Sequence, residues 1–254
     1  MLSKKQIQYF KSLHRKKYRD IEKIILLEGS RLINQVIIKN INILNVWITE
    51  KFSQTSANKY LLEKLSDKKI NIHKCSEESL VQISDSLHPQ GIIATVSYPI
   101  YERVNQIPQK SVYLDNISDP GNMGTLLRTC AWFGIESVFL SSNCVDPFNS
   151  KVIRSAMGAH FYFKNLIKIE YEKLFKKYKK NNIVVLCGDL QGIPIKDLPN
   201  LQSQGWVLVL GSEAHGITNT LEDYIDYRIS IQNFSSMESL NVSIAGGILL
   251  HNLT

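Results

Sequence analysis

Four short apolar runs in the second half of the chain constrain its fold most. They are Ser111–Leu114 (SVYL), Ser137–Leu140 (SVFL), Ile183–Cys187 (IVVLC) and Trp206–Leu210 (WVLVL). Runs of this length without polar alternation suit strands buried on both faces, as in a parallel sheet. Arg228–Ile231 reads as one more strand. Helical patterns lie between them: about Met123–Phe133, the basic amphipathic Tyr171–Lys180, and the largely apolar Leu240–Leu250. Strands alternating with helices give an α/β layer. The first half repeats the alternation on a smaller scale. Strands are expected at Lys23–Glu28, Val46–Thr49, Ile70–His73 and Gly91–Tyr98, and helices at Gly29–Ile38, Ser56–Leu65 and Glu77–Ile83. Pro99–Lys110 is the linker candidate. Two domains are therefore expected, 1–105 and 106–254, within what 254 residues allow.

Charge separates the halves. Residues 1–105 hold 17 Lys+Arg against 10 Asp+Glu, whereas residues 106–254 hold 13 of each. The first 23 residues alone carry Lys4, Lys5, Lys11, Arg15, Lys16, Lys17, Arg19 and Lys23 against Asp20 and Glu22. Such asymmetry marks an arm facing nucleic acid or a membrane surface. No apolar run approaches the roughly 18–20 residues of a spanning helix. The basic N-terminus lacks the apolar core of a secretory signal, so a cytoplasmic protein is expected. Cys75, Cys130, Cys144 and Cys187 are widely spaced. They read as reduced thiols rather than as a zinc site or disulfide framework, and no metal is expected.

Three segments carry chemistry. In Asp115–Thr129 (DNISDPGNMGTLLRT), a strand end turns into a helix start. Asn122 lies near the helix N-terminus, where free N–H groups favour anions. Arg128 follows nearly two turns later. In Val209–Ile217 (VLGSEAHGI), a buried strand runs into a glycine-bounded loop holding Glu213 and His215. This is neither a P-loop nor a dinucleotide turn. In Met237–Ala245 (MESLNVSIA), Ser239 is placed to cap the last helix and Asn241 to sit in its first turn. Each segment alone has a plain structural reading as a capped turn or a loop.

Together and in order, the three segments resemble the motifs of the SpoU family of RNA ribose methyltransferases, of the SPOUT class. The match is Asn122-x-Gly124-x-x-x-Arg128-Thr129, then Gly211-Ser212-Glu213-x-x-Gly216-Ile217, then Ser239-Leu240-Asn241-Val242-Ser243-x-Ala245. Lys151–Ala159 (KVIRSAMGA) is similar to a further family segment. Residues 20–98, with Leu27–Arg31 and Pro89–Ala94, look like the family's L30e-like substrate-binding domain. One departure concerns the loop after Arg228–Ile231. The family has Pro and, three residues on, Gly; this chain has Gln232 and Ser235.

The resemblance implies an L30e-like α/β domain followed by a SPOUT α/β domain with a deep trefoil knot, acting as a homodimer with sites at the interface. It implies S-adenosylmethionine as methyl donor and a ribose 2′-hydroxyl as acceptor, with ribosomal RNA ahead of transfer RNA. By motif position Arg128 is the catalytic arginine. A guanidinium keeps its proton at neutral pH, so Arg128 is expected to grip the phosphate beside the ribose and stabilise the developing alkoxide. Asn122, Glu213, Ser239 and Asn241 would orient Arg128, the ribose or the cofactor. Backbone groups around Leu210, Gly211, Ile231 and Leu240 would hold the adenosine. Lys4, Lys5, Arg15, Lys16, Lys17, Arg19, Arg31 and Arg154 are the candidate RNA-binding cations. Two other readings stand beside this one: a non-catalytic RNA-binding protein with a relic SPOUT domain, and a SPOUT enzyme that methylates a base.

Overall fold

A computed structural model describes residues 2–101, 106–201, 204–212 and 216–254. Contacts divide the chain into two units: Met1–Ile100 with Asp146–Phe161, and Tyr101–Val145 with Tyr162–Thr254. A single cut near residue 105 therefore misses the excursion Asp146–Phe161, which packs with the first unit.

The first unit opens with α1 (Lys4–Leu13) and α2 (Lys16–Glu22). Ser3 caps α1 by accepting the Gln6 N–H, and Gln6 returns a bond to the Ser3 N–H. This reciprocal cap satisfies two donors that a helix start leaves free. There follow β1 (Ile24–Glu28), α3 (Ser30–Ile38), β2 (Ile43–Ile48), α4 (Glu50–Gln54), α5 (Lys59–Asp67), β3 (Ile72–Lys74), α6 (Glu77–Ile83) and β4 (Ile92–Ser97). The sheet order is β1-β4-β2-β3, with β4 antiparallel to both neighbours and β2 parallel to β3. As an inner strand, β4 is buried almost throughout, which explains its unbroken apolar run. The basic N-terminus is a packed element, because Phe10 and Leu13 join Leu26, Trp47, Leu80 and Ile83 in one core cluster.

The second unit runs β5 (Lys110–Leu114), α7 (Pro120–Trp132) and β6 (Ser137–Leu140). After the excursion, which carries α8 (Ser150–Ala156), come β7 (Asn165–Lys168), α9 (Tyr171–Lys180), β8 (Val184–Pro194), β9 (Trp206–Leu210), β10 (Tyr227–Ser230) and α10 (Val242–Leu253). The six strands form one parallel sheet in the order β10-β8-β9-β5-β6-β7. α9 covers one face, packing Leu174, Phe175 and Tyr178 on Val185, Val207 and Val209. α10 packs on α7 so closely that a Cβ on Gly246 would stand 2.6 Å from Leu126 and 2.8 Å from Leu210. Among the described residues, no helix is long and apolar enough to cross a membrane.

Arg19 corrects an expectation. It is 3% exposed, donates to the Leu13 carbonyl at 2.9 Å and forms an ion pair with Asp146. A guanidinium withdrawn from water needs such a partner, and cannot also grip RNA. The caps correct another. α10 begins at Val242 because Asn241 Oδ1 accepts the Ser243 N–H at 3.0 Å, so Asn241, not Ser239, is the cap.

Candidate functional site

In this sheet the chain order reverses between β5 and β9, and ligands of open α/β sheets bind beyond the carboxyl ends of strands at such a point. Asp115, buried at the end of β5, donates its N–H to Leu210 O at 2.8 Å. Its Oδ2 accepts both the N–H and the hydroxyl of Thr218, each at 2.7 Å. These bonds tie the glycine-bounded loop back to the sheet. Ser212 and Gly216 exchange two backbone bonds of 2.9 Å across that loop. A Cβ on Gly211 would stand 2.2 Å from Gly216 O, so this crossing requires glycine.

A cavity of about 540 Å³ opens at the carboxyl ends of β9 and β10, beside Cys187–Leu190 in the middle of β8. That volume is ordinary for a cofactor site. Leu210, Gly211, Ile231 and Leu240, the four positions expected around the adenosine, all line it, and so does Ser239. Val242, Ala245 and Leu249 supply apolar wall. Cys187 lines it too, but burial pushes its thiol up to about 12, so the group is protonated wall rather than nucleophile. An apolar slot edged by strand-end backbone suits a purine nucleoside with a short aliphatic chain, the shape of S-adenosylmethionine.

The first and third segments meet beside this cavity. Asn241 Nδ2 donates to Asn122 Oδ1 at 2.8 Å, which locks the start of α10 to the start of α7. Asn122 is the third residue of α7, whose cap is Asp119: its Oδ1 accepts the Asn122 N–H at 2.7 Å. Arg128 is exposed on α7 and does not line the cavity. Among the described residues it has no hydrogen-bond or ion-pair partner. Glu213 and His215 lie outside the described residues. Lys4, Lys5, Arg15, Lys16, Lys17 and Arg31 are exposed on the first unit. Arg154 is half-buried and paired with Asp85 at 3.4 Å.

The loop that departs from the family pattern has its own scaffold. Asn233 Oδ1 accepts the Ser235 N–H at 2.9 Å, Ser235 Oγ accepts the Met237 N–H at 3.2 Å, and Asn233 Nδ2 donates to Met237 O at 2.8 Å. Neither Gln232 nor Ser235 has a positive φ, so this path has no need of glycine. Sequence reasoning missed Asp115, Asp189, Glu222 and Arg228. The last three line the cavity. For Asp115, Asp189 and Arg228, a charge set within or just after a strand was the available signal; Glu222, in the short helix Asn219–Tyr224, carried none.

Comparison with known proteins agrees with this geometry. Residues 109–251, over half of the chain, match the SpoU rRNA Methylase family, and residues 4–94 match an MRM3-like substrate binding domain. The chain is 28% identical over 254 residues to a 23S rRNA (guanosine(2553)-2′-O)-methyltransferase of Bacillus subtilis, covering 98% of this chain and 95% of that one. It is 33% identical over 202 residues to human mitochondrial rRNA methyltransferase 3, covering 75% of this chain and 46% of the relative. A TrmH-family structure from Porphyromonas gingivalis superposes with a TM-score of 0.83 at 28% identity, over 100% of this chain and 98% of that one. An AdoMet-bound rRNA methyltransferase from Sinorhizobium meliloti shares the fold, with a TM-score of 0.82 at 22% identity over 100% and 96%. The chain belongs to the SpoU rRNA methylase family.

Proposed function

We propose that this protein transfers the methyl group of S-adenosylmethionine to a ribose 2′-hydroxyl of ribosomal RNA. The observation that carries the reading is the cavity at the carboxyl ends of β9 and β10, with Leu210, Gly211, Ile231 and Leu240 on its wall and the Asn122–Asn241 pair beside it. S-adenosylmethionine supplies, when bound, a methyl already activated by its sulfonium. The protein therefore has to bind, orient and assist loss of one proton. Arg128 holds the phosphate next to the target ribose and stabilises the alkoxide as the hydroxyl loses its proton. Asn122 and Asn241 fix the two helix starts that flank the reacting groups. Ribosomal RNA is favoured over transfer RNA by the names of the relatives from Bacillus subtilis and human mitochondria.

A homodimer belongs to the reading. α7 leaves Trp132 84% exposed, and α10, packed against it, leaves Ile244 56% exposed. Apolar groups of that size on adjoining helices suit an interface. Arg128 shares the exposed face of α7 with Trp132, four residues on, so a partner covering that face would reach Arg128 as well. The free, buried cysteines suit a reducing compartment, and we place the protein in the cytoplasm.

Incubating the protein with methyl-labelled S-adenosylmethionine and separate ribosomal and transfer RNA fractions tests the reading. Label in ribosomal RNA is expected. Label confined to transfer RNA would reassign the substrate, and cofactor binding without transfer to either would favour a non-catalytic protein.

A further inference from the structure

The pairing of β8 with β10 contains a large interruption. Arg228 pairs with Cys187, yet the next residue, Ile229, pairs with Ile193. Residues 188–192 therefore leave the ladder as an outsized bulge. Bulges beside active sites re-aim side chains, and Asp189 and Leu190 of this one line the cavity. Arg228, at the point where the register breaks, forms ion pairs with Asp189 through Nη1 and with Glu222 through Nη2. Asp189 Oδ1 also accepts the Gln191 N–H at 2.8 Å. The carboxylate is thus held from two sides while its side chain stays 27% exposed.

We propose that Asp189 recognises the vicinal diol of the cofactor's ribose, and that Arg228 is a positioning residue that aims it. The inference rests on the cofactor reading given above. An ionised carboxylate has about four lone-pair sites, and the two bonds described use one on each oxygen. The remaining two match the two donors of a vicinal diol. Arg228 is shared between Asp189 and Glu222, so it holds the Asp189 carboxylate in place while leaving its open lone pairs free to accept hydroxyl donors. Glu222 fits the role less well, because it sits in the short helix Asn219–Tyr224 and is 45% exposed. A carboxylate reading ribose hydroxyls from a strand end is a recurrent solution in nucleotide-binding α/β folds.

Calorimetry tests the assignment without turnover. S-adenosylhomocysteine and its 2′-deoxy and 3′-deoxy analogues are titrated into the wild-type protein and into Asp189→Asn. Loss of a hydrogen bond to a charged group is expected to weaken binding of each deoxy analogue to wild type by about tenfold or more. In Asp189→Asn that deoxy penalty should shrink to about threefold or less. Arg228→Gln should weaken S-adenosylhomocysteine binding and reduce the penalty in part. A deoxy penalty of the same size in wild type and Asp189→Asn overturns the assignment, as does wild-type protein indifferent to the hydroxyls. Wild-type protein that binds neither S-adenosylmethionine nor S-adenosylhomocysteine contradicts the cofactor reading itself, and the assignment falls with it. If Asp189→Asn does not fold, a crystal structure of wild type with S-adenosylhomocysteine decides. A diol oxygen within about 3.2 Å of the Asp189 carboxylate supports it, and a diol turned away overturns it.

Discussion

Arg19 is one of eight basic side chains in the first 23 residues, yet it is buried against Asp146. Breaking one partner of a buried pair leaves an uncompensated charge and costs roughly 3–5 kcal/mol. Arg19→Met or Asp146→Asn should each lower unfolding stability by that order in a urea titration. The double variant Arg19→Met, Asp146→Leu should recover most of it, and no recovery would show that the pair is not the source of the loss. His160, in the same segment, is fully buried with its Nε2 2.7 Å from Pro147 O, and burial lowers its pKa from 6.5 to about 4. Above pH 6.5 it is neutral whether the chain is folded or not. Between pH 6.5 and 4 the unfolded chain takes up a proton that the native state refuses. Stability therefore falls as pH drops through that window, by up to about 3 kcal/mol from this group. A His160→Gln variant should lose stability less steeply on acidification than wild type; parallel curves would exclude His160 as the cause. At this scale the sequence was a partial guide. Asn122 and Asn241 stood out as motif positions, but their mutual bond spans 119 positions and no local pattern encodes it. Ser239 read as the cap and Asn241 as a first-turn residue, but the helix starts later and Asn241 is the cap.

The most legible elements were strands buried on both faces and helices with one clear buried stripe. β6, β9, α6 and α9 lie where apolar runs and helical periodicity place them, because burial dictates both composition and length. β7 went unread: it is an edge strand of four residues, NLIK, with polar ends. β8 is twice the expected length because it resumes after its bulge. α1 and α2 looked like a solvated arm because lysines dominate their sequence, whereas two apolar side chains of α1 anchor it. Phe10 packs on Trp47 with ring centroids 4.6 Å apart. Phe10→Ala should cost about 3–5 kcal/mol, read as an earlier unfolding transition. A loss below about 1 kcal/mol would return α1 to the status of a loose arm.

For the whole molecule, the charge asymmetry becomes a division between a basic first unit and a second unit that carries the cavity. Because α1 belongs to a core, deleting the N-terminus would confound binding with folding. Neutralising Lys4, Lys5, Lys16 and Lys17 to Ala is the cleaner experiment, since all four are exposed. RNA affinity should fall and its salt dependence flatten, by about 0.7–0.9 in log–log slope for each phosphate no longer neutralised, while S-adenosylmethionine affinity stays unchanged. An unchanged slope would show that these lysines do not face RNA. The most direct test of the ribose methyltransferase assignment is where the methyl group goes. Ribosomal RNA labelled by the wild-type protein is digested with alkali, which cannot cleave the phosphodiester next to a 2′-O-methyl ribose. Label is expected in an alkali-resistant dinucleotide, and Arg128→Ala should give none while binding S-adenosylmethionine within about threefold of wild type. Label on a base, or full transfer by Arg128→Ala, would contradict the assignment.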